Sequence, residues 1–336
     1  MARKRTKSAA PRAGESAPPP SASAQGAARA REAVAQSLPL KPEAWVLAAW
    51  VVVALEAGLA MFLGAKQTGL MPIRAYMFGP PLLAALALVV GVVGAVWSYR
   101  RKPFASPQRI VAFCLLAFVF ATASYHVPFP SHRSYRPSRV KIGAPFEGEW
   151  TVAWGGPDDS SALLAVRPDR RFARLFVVVR DGVTRAEPAD PRSAFAFGQP
   201  VFAPCDGRVV RAVGELGDDG GALDDLGNHV VLQIAPDEFL FVTGLARESL
   251  EVKVGDEVAR GARLARVGFS AASRMLPEPH LGLHVQDTPD PIWGQAIPYY
   301  LHDVVVNGAA VQRAEASGRG FFPGYPPAGD RIRPAP

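Results

Sequence analysis

Residues 252–268 read VKVGDEVARGARLARVG, and residues 197–210 read FGQPVFAPCDGRVV. In both stretches, short runs with valine, leucine or phenylalanine are separated by glycines, and in each stretch one glycine, Gly207 or Gly255, has an aspartate beside it. Glycine suits positions where a strand turns with positive φ. Apolar runs of the same kind occur at 175–179, 229–234 and 239–242. Strands at this spacing predict an all-β domain built from antiparallel hairpins.

The apolar residues are concentrated before residue 125, in three spans at about 45–64, 76–98 and 110–125. The first two are long enough to cross a hydrocarbon core of about 30 Å. The third is shorter, but residues 126–129, HVPF, can extend it into the interface. The sequence therefore predicts three transmembrane α-helices ahead of the β domain, and a lipid bilayer as the first partner.

The charges beside these spans predict their orientation. The segment between the second and third spans carries four cations and no acid: Arg100, Arg101, Lys102 and Arg109. The segment between the first and second spans carries only Lys66 and Arg74. Because cytoplasmic loops are enriched in Lys and Arg, we expect a cytoplasmic N-terminus. After three crossings the β domain would be extracytoplasmic.

Three further segments are predicted to lack regular structure. Residues 1–42 are rich in Ala, Pro, Ser and Arg with few large apolar groups, which predicts a disordered basic tail in the cytoplasm. Residues 126–142 read as a linker, and residues 311–336 as an irregular tail. The formal net charge is +7. It forms no basic face interleaved with aromatic residues in the folded part, which argues against a nucleic-acid partner.

Glu56 is the one carboxylate of the first span. An ionisable residue inside a membrane is a functional-site hypothesis by default. No intramembrane Lys or Arg is available to meet it. We therefore expect a protonated glutamate that faces the helix bundle, in preference to a transport site.

Several motifs occur in the order of a known family. They are GAPFEGEWTVAWGG at 143–156, Asn228-His-Val-Val-Leu, the strand from Phe239 to Gly244, and Pro279-His-Leu. With the hairpin stretches, they resemble the lysostaphin/LytM-type zinc endopeptidases, metallopeptidase family 23, over roughly 143–287. The resemblance implies a LytM-like duplicated hybrid motif, here assigned to residues 143–310. It also implies a bacterial inner-membrane protein whose domain faces the cell wall.

In that family, a His, an Asp and the second His of a His-x-His motif hold Zn²⁺ and leave one position open for water. Two more histidines assist proton transfer. Carried onto this sequence, Leu175 stands where the Asp belongs, and Gly282 where the second His belongs. Gly244 stands at one assisting histidine, and His280 remains at the other. No histidine lies between His132 and His229, so the first ligand is missing too.

The resemblance therefore implies a peptidase fold without its metal ligands, in which His280 is a relic of the catalytic strand. No metal or other cofactor is expected. His284 shares a strand face with residue 282 but lies about 6.6–6.8 Å beyond it. With His229 it could form a groove or an alternative site, although no carboxylate is placed convincingly beside the pair.

Three functions follow as hypotheses. The first is a catalytically inactive module that binds peptidoglycan or regulates a cell-wall hydrolase. The second is an active zinc metallo-endopeptidase that cleaves peptidoglycan cross-links with relocated ligands. The third is an assembly scaffold that docks onto another envelope protein. A lipoyl or biotinyl carrier needs a lysine at a hairpin tip, and neither Lys141 nor Lys253 lies at one.

Overall fold

A computed structural model describes most of the chain beyond residue 42. The described residues are 43–66, 69–101, 104–124, 129, 136–156, 167–220, 226–271, 276–319 and 328–336. The predicted basic tail at 1–42 lies outside them. So do most of the predicted linker and residues 126–128, which were expected to extend the third span.

Three helices precede the β domain, as predicted. They are α1 (Ala44–Ala65), α2 (Leu70–Arg100) and α3 (Pro107–Ser124). All three are long and apolar enough to cross a membrane. Helix α2 begins at Leu70, before the predicted residue 76. Pro72 does not prevent this, since it lies in the first turn of the helix, where proline is tolerated. It also contains Pro80 and Pro81, which apolar spans accept when neighbouring helices satisfy the backbone.

Close contacts hold the helices together. The ring of Trp45 on α1 packs against Gly94 of α2, where a Cβ would lie 2.5 Å from Trp45 Cε3. At one end of the bundle, Arg109 Nη2 of α3 lies 2.6 Å from Glu43 Oε1, just before α1. Since these residues lie at the beginnings of α1 and α3, the two helices start at the same end and run in the same direction.

Fourteen strands follow in the described part of the chain. They are β1 (Trp150–Gly155), β2 (Arg174–Val177), β3 (Pro200–Phe202), β4 (Gly207–Val213), β5 (Asn228–Ala235), β6 (Glu238–Leu245), β7 (Glu257–Val258), β8 (Arg263–Arg266), β9 (Leu281–Gln286), β10 (Ala296–Ile297), β11 (Leu301–Val306), β12 (Ala309–Ala314), β13 (Gly318–Arg319) and β14 (Arg331–Pro334). Every pairing between them is antiparallel. The prediction of an all-β, antiparallel domain is confirmed.

Twelve strands form one sheet in the order β12-β11-β14-β1-β2-β9-β6-β5-β4-β7, with β10 on β9 and β13 on β1. Strands β3 and β8 form a separate pair. The two glycine turns of residues 252–268 lie where the sequence predicted them, because Gly255 and Gly261 have φ of +99° and +86°. The four strands that matter for the site, β2, β9, β6 and β5, are neighbours at the centre of the sheet.

The prediction that residues 311–336 form an irregular tail is wrong for the part that the structure describes. Strand β12 pairs with β11, and β14 lies between β11 and β1 inside the large sheet. The side chain of Ile332 on β14 is fully buried in the main core. The Gly and Pro residues of this region obscured strands that are short and contribute one or two core side chains each.

The main core lies on one face of the large sheet. It includes Val152, Val242 and Leu283 from that sheet, together with Val201 of β3 and Leu264 of β8. The β3–β8 pair therefore closes this face, as a second layer does in a sandwich. The opposite face of the central strands carries smaller apolar clusters and the predicted site residues.

Candidate functional site

Four of the central strands place one residue each in a single row. The cross-strand partners are Leu175 with Gly282, Gly282 with Thr243, and Thr243 with His229. Directly paired residues of neighbouring strands project from the same face of a sheet. We call Leu175, Gly282, Thr243 and His229 the central row. The structure thus brings together three of the positions that sequence reasoning singled out.

Gly282 lies at the middle of the central row, and its neighbours have closed over it. A Cβ at this position would lie 2.2 Å from Thr243 Oγ1 and 3.3 Å from Leu175 Cδ2. Leu175 itself packs with an apolar cluster that includes Trp154, Val177 and Leu276. A ligand side chain at position 282 would therefore require Thr243 to move.

Gly244, which was predicted at the place of an assisting histidine, faces backbone in the structure. Its φ is +78°, and a Cβ there would lie 2.2 Å from the carbonyl oxygen of His280. The pairing of β5 with β6 shifts between Asn228 and His229, so that Gly244 is the extra residue of a β-bulge. On the other side of β6, in a regular register with β9, the residue paired with Gly282 is Thr243. An alternating pattern cannot show a bulge, although the glycine signals where one can form.

His280 lies just before β9 and is buried. Its Nδ1 is 2.9 Å from the carbonyl oxygen of Glu278. This contact with a residue two positions earlier orients the imidazole. The carbonyl oxygen of His280 lies against Gly244. The position predicted as a catalytic relic is thus part of a packed strand entry.

His284 and His229 lie on β9 and β5, with β6 between them. The ring of Phe241 on β6 stacks on His284 at 4.6 Å between centroids, and His229 lies 6.4 Å from the same ring. His229 Nδ1 also lies 2.7 Å from the carbonyl oxygen of Gly227. The ring of Phe241 therefore lies within stacking distance of both histidines. An alternative metal site would need further ligand side chains in the place that this ring occupies.

Burial keeps His284 neutral. The side chain is 2% exposed, and none of the described residues gives its Nε2 a hydrogen-bond partner. Burial lowers the pKa of His284 well below its ordinary value, and the electrostatic influence of Arg170, His229 and Arg167 acts in the same direction. A neutral imidazole can accept a metal or a proton. Among the described residues, His284 belongs to no group of three His, Cys, Asp or Glu side chains that could hold a metal ion.

The two buried carboxylates of this region are already bound by arginines. Asp169 accepts hydrogen bonds from Arg167 and Arg170 at 3.0–3.1 Å. Glu278 Oε2 lies 2.9 Å from Arg185 Nη2 and accepts a hydrogen bond from Thr184. Burial raises the pKa of Glu278, and the contacts with Thr184 and Arg185 oppose that rise. Sequence reasoning missed both carboxylates because their arginine partners follow no family motif.

The residues of the site do not fit zinc. Structural and catalytic zinc ions are bound by Cys, His and carboxylate groups. Three of the four residues of the central row are poor zinc ligands: Leu175 has a hydrocarbon side chain, Gly282 has none, and Thr243 has a hydroxyl. Within the described ranges, no group of three His, Cys, Asp or Glu residues could hold a metal ion.

Comparison with known proteins finds a family match within the β domain. Residues 192–292 match the model of Peptidase family M23. That range contains Gly244, His280, Gly282 and His284, whereas Leu175 lies before it. The resemblance inferred from the motifs is confirmed. The chain has three apolar helices followed by an antiparallel β domain with the peptidase family M23 fold.

Solved structures of similar proteins include three peptidases. A zinc-containing peptidase from Vibrio cholerae is 20% identical, with a TM-score of 0.28, over 44% of this chain and 36% of that one. The catalytic domain of the prophage-encoded M23 protein EnpA from Enterococcus faecalis is 19% identical, with a TM-score of 0.29, over 49% of this chain and 95% of that one. The lysostaphin catalytic domain from Staphylococcus simulans is 19% identical, with a TM-score of 0.24, over 47% and 88%.

The chain thus covers little more than a third of the Vibrio cholerae peptidase. Among curated proteins, none matches this sequence.

Proposed function

We propose that this protein is a membrane-anchored, non-hydrolytic module of the bacterial cell envelope, which regulates a cell-wall hydrolase or binds peptidoglycan. The observation that carries the proposal is the central row. Leu175, Gly282 and Thr243 occupy the middle of the sheet face with no group that binds zinc, and they pack against one another. A fold that keeps its framework without its ligands is suited to contact and not to cleavage.

The proposed placement is the inner membrane, with the N-terminus in the cytoplasm and the β domain on the wall side. The excess of cations between α2 and α3 supports this orientation. The shared starting end of α1 and α3 is compatible with three crossings. In this orientation, peptidoglycan and its hydrolases are the large partners within reach of the domain.

Burial of the site favours regulation of a hydrolase over a grip on wall peptides. The side chains of Thr243, His229 and His284 are each at most 4% exposed. A peptide that bound across the central row would first have to displace the residues that cover it. Contact through the outer surface of the domain needs no such opening.

Metal content tests the non-hydrolytic part of the proposal. The full chain, purified in detergent and incubated with excess zinc, is expected to hold well under one zinc ion per chain after gel filtration. It is also expected to leave cross-linked muropeptides intact. Stoichiometric zinc that is lost in the His284→Ala variant would contradict the proposal and would favour a peptidase with relocated ligands.

Two assays separate the envelope roles. In the first, the full chain in detergent is sedimented with isolated peptidoglycan sacculi, with a denatured sample as the control. In the second, its effect on the rate of a purified wall hydrolase is measured. A changed hydrolase rate without sedimentation supports regulation, and sedimentation without a changed rate supports wall binding. If neither occurs while the chain captures another envelope protein, the assembly scaffold replaces both.

A further inference from the structure

Glu56 is an ionisable residue near the middle of a membrane-spanning helix. It is the thirteenth of the 22 residues of α1, which places it about 18 Å from the start of the helix. Thr122 Oγ1 of α3 lies 2.5 Å from its Oε1 and 2.8 Å from the carbonyl oxygen of Phe118, within hydrogen-bond distance of both. The pair therefore links α1 to α3 at the level of the hydrocarbon core.

This polar pair lies on the surface of the bundle and not inside it. Glu56 is only partly buried, and Thr122 is exposed. The described residues place no hydrogen-bonding partner on the second carboxyl oxygen, Oε2. The expectation that Glu56 faces the interior of the bundle is therefore met for one oxygen only.

A carboxyl group at this position has an unmet requirement. Hydrocarbon offers neither donors nor acceptors, so a charged carboxylate is costly there, and a carboxyl oxygen that no protein group meets stays unsatisfied. Polar side chains in membrane helices usually meet this need across a helix–helix contact. Among the described residues, the lipid-facing side of α1 and α3 thus leaves Oε2 of Glu56 without a partner.

We propose that a second copy of this chain packs against the α1–α3 face, so that the Glu56 carboxyl groups of the two copies bond to each other. Copies inserted in the same orientation are related by a two-fold axis along the membrane normal, which brings residues of equal depth together. A protonated carboxyl is both donor and acceptor. It therefore complements itself across such an axis without a foreign group.

The helix surface beside Glu56 permits the close approach that this pairing needs. Ala57, Ala60 and Gly64 are all exposed, and their spacing of three and four residues puts them on one side of α1. A Cβ built at Gly64 would meet nothing within 4 Å. Small residues let two helix backbones approach closely in a membrane. Leu55, on the other side of α1, is a large exposed side chain.

The first test measures association of the full chain in phospholipid vesicles, by energy transfer between differently labelled copies. We expect dimers in the wild type and in Glu56→Gln, because an amide also donates and accepts. We expect Glu56→Leu to weaken association by about tenfold or more. A wild-type chain that stays monomeric overturns the proposal, as does a Glu56→Leu chain that associates as strongly as the wild type.

The second test does not depend on the fold of a Glu56 variant. Single cysteines are placed at Ala60 or at Leu55 in a chain that carries Cys114→Ala, since Cys114 is an exposed thiol on α3 and Cys205 is buried. Oxidation in membranes is expected to cross-link Ala60→Cys and to leave Leu55→Cys monomeric. Equal cross-linking at the two positions, or cross-linking at Leu55 alone, overturns the proposal. This inference holds or fails independently of the proposed envelope role.

Discussion

Gly282 and Thr243 show how a single position decides the chemistry of the site. At residue 282 the chain has no side chain, and the hydroxyl of Thr243 occupies the space that a Cβ would need. The absence of a side chain at residue 282 is therefore accompanied by a neighbour that fills the space. The energetic coupling between Gly282 and Thr243 can be measured, because each residue can be substituted separately.

Gly282→Ala is expected to destabilise the domain, since the added methyl group would lie 2.2 Å from Thr243 Oγ1. Overpacking of this kind costs about 1–3 kcal/mol. Adding Thr243→Ala removes the colliding oxygen and should restore at least half of the loss. Thermal unfolding of the full chain in detergent measures both effects. A double variant that melts no higher than Gly282→Ala would show that the two residues are not coupled.

His284 should make the domain sensitive to acid. Its pKa is lowered well below the ordinary value in the folded chain, chiefly by burial, and returns to about 6.5 on unfolding. The unfolded state therefore binds more protons below pH 6.5. Stability is complete above that pH and falls by about 1.4 kcal/mol per unit as the pH decreases, until the folded pKa is reached.

The variant that checks this is His284→Phe, which keeps a ring on Phe241 and removes the buried, ionisable Nε2. It is expected to melt higher than the wild type at pH 5.5, with a smaller difference at pH 7.5. The matched control is His302→Gln, since the pKa of His302 is lowered less far by its partial burial. Parallel pH dependences for the wild type and His284→Phe would rule out His284 as the source.

Among the elements, those with long and regular patterns were predicted and the short or irregular ones were not. The sequence itself indicates α1, α2 and α3 by the length of their apolar runs. It likewise indicates the turns at Gly255 and Gly261 by the glycines. The bulge at Gly244 does not, because it depends on the register that β5 and β6 adopt together. Strand β14 was missed because only Ile332 in its four residues is apolar and fully buried.

Ile332→Ala is expected to destabilise the domain by about 2–5 kcal/mol, as other large-to-small changes in a core do. The reason is that β14 fills the sheet between β11 and β1, so that its one core side chain supports both neighbours. The neighbouring Arg333→Ala, on the exposed side of the same strand, serves as the control and should change little. Equal melting temperatures for the two variants would mean that this strand adds nothing to the fold.

At the scale of the whole molecule, the β domain rests against the helix bundle. Phe129 packs with Leu63 of α1 and Ile73 of α2. Its carbonyl oxygen accepts a hydrogen bond from Arg171 of the domain. These contacts involve the end of α1 and the beginning of α2, at the opposite end of the bundle from the Glu43–Arg109 ion pair. Neither the apolar spans nor the strand pattern in the sequence indicated this contact between the β domain and the helix bundle.

Trp293 makes the second part of this contact. Its ring lies 6.3 Å from Phe78 of α2, and the guanidinium of Arg74 lies 5.2 Å from the ring centroid. A cation over a tryptophan face is attractive, by about 0.5–1 kcal/mol at exposed sites. The side chain is partly buried at the rim of the domain, outside its main core. Its removal should therefore weaken docking without unfolding the domain.

Trp293→Ala is expected to increase the rate at which trypsin cleaves the full chain at the arginines between α3 and β1, since a domain held less firmly exposes the segment that joins it to the bundle. The melting temperature should stay close to that of the wild type. The control is Ile292→Ala, which changes the exposed neighbour without touching the contact with Arg74 and Phe78. If both variants are cleaved as slowly as the wild type, Trp293 does not hold the domain on the bundle, and Phe129 with Arg171 suffices. If Trp293→Ala is cleaved faster but also melts much lower, the tryptophan supports the domain itself.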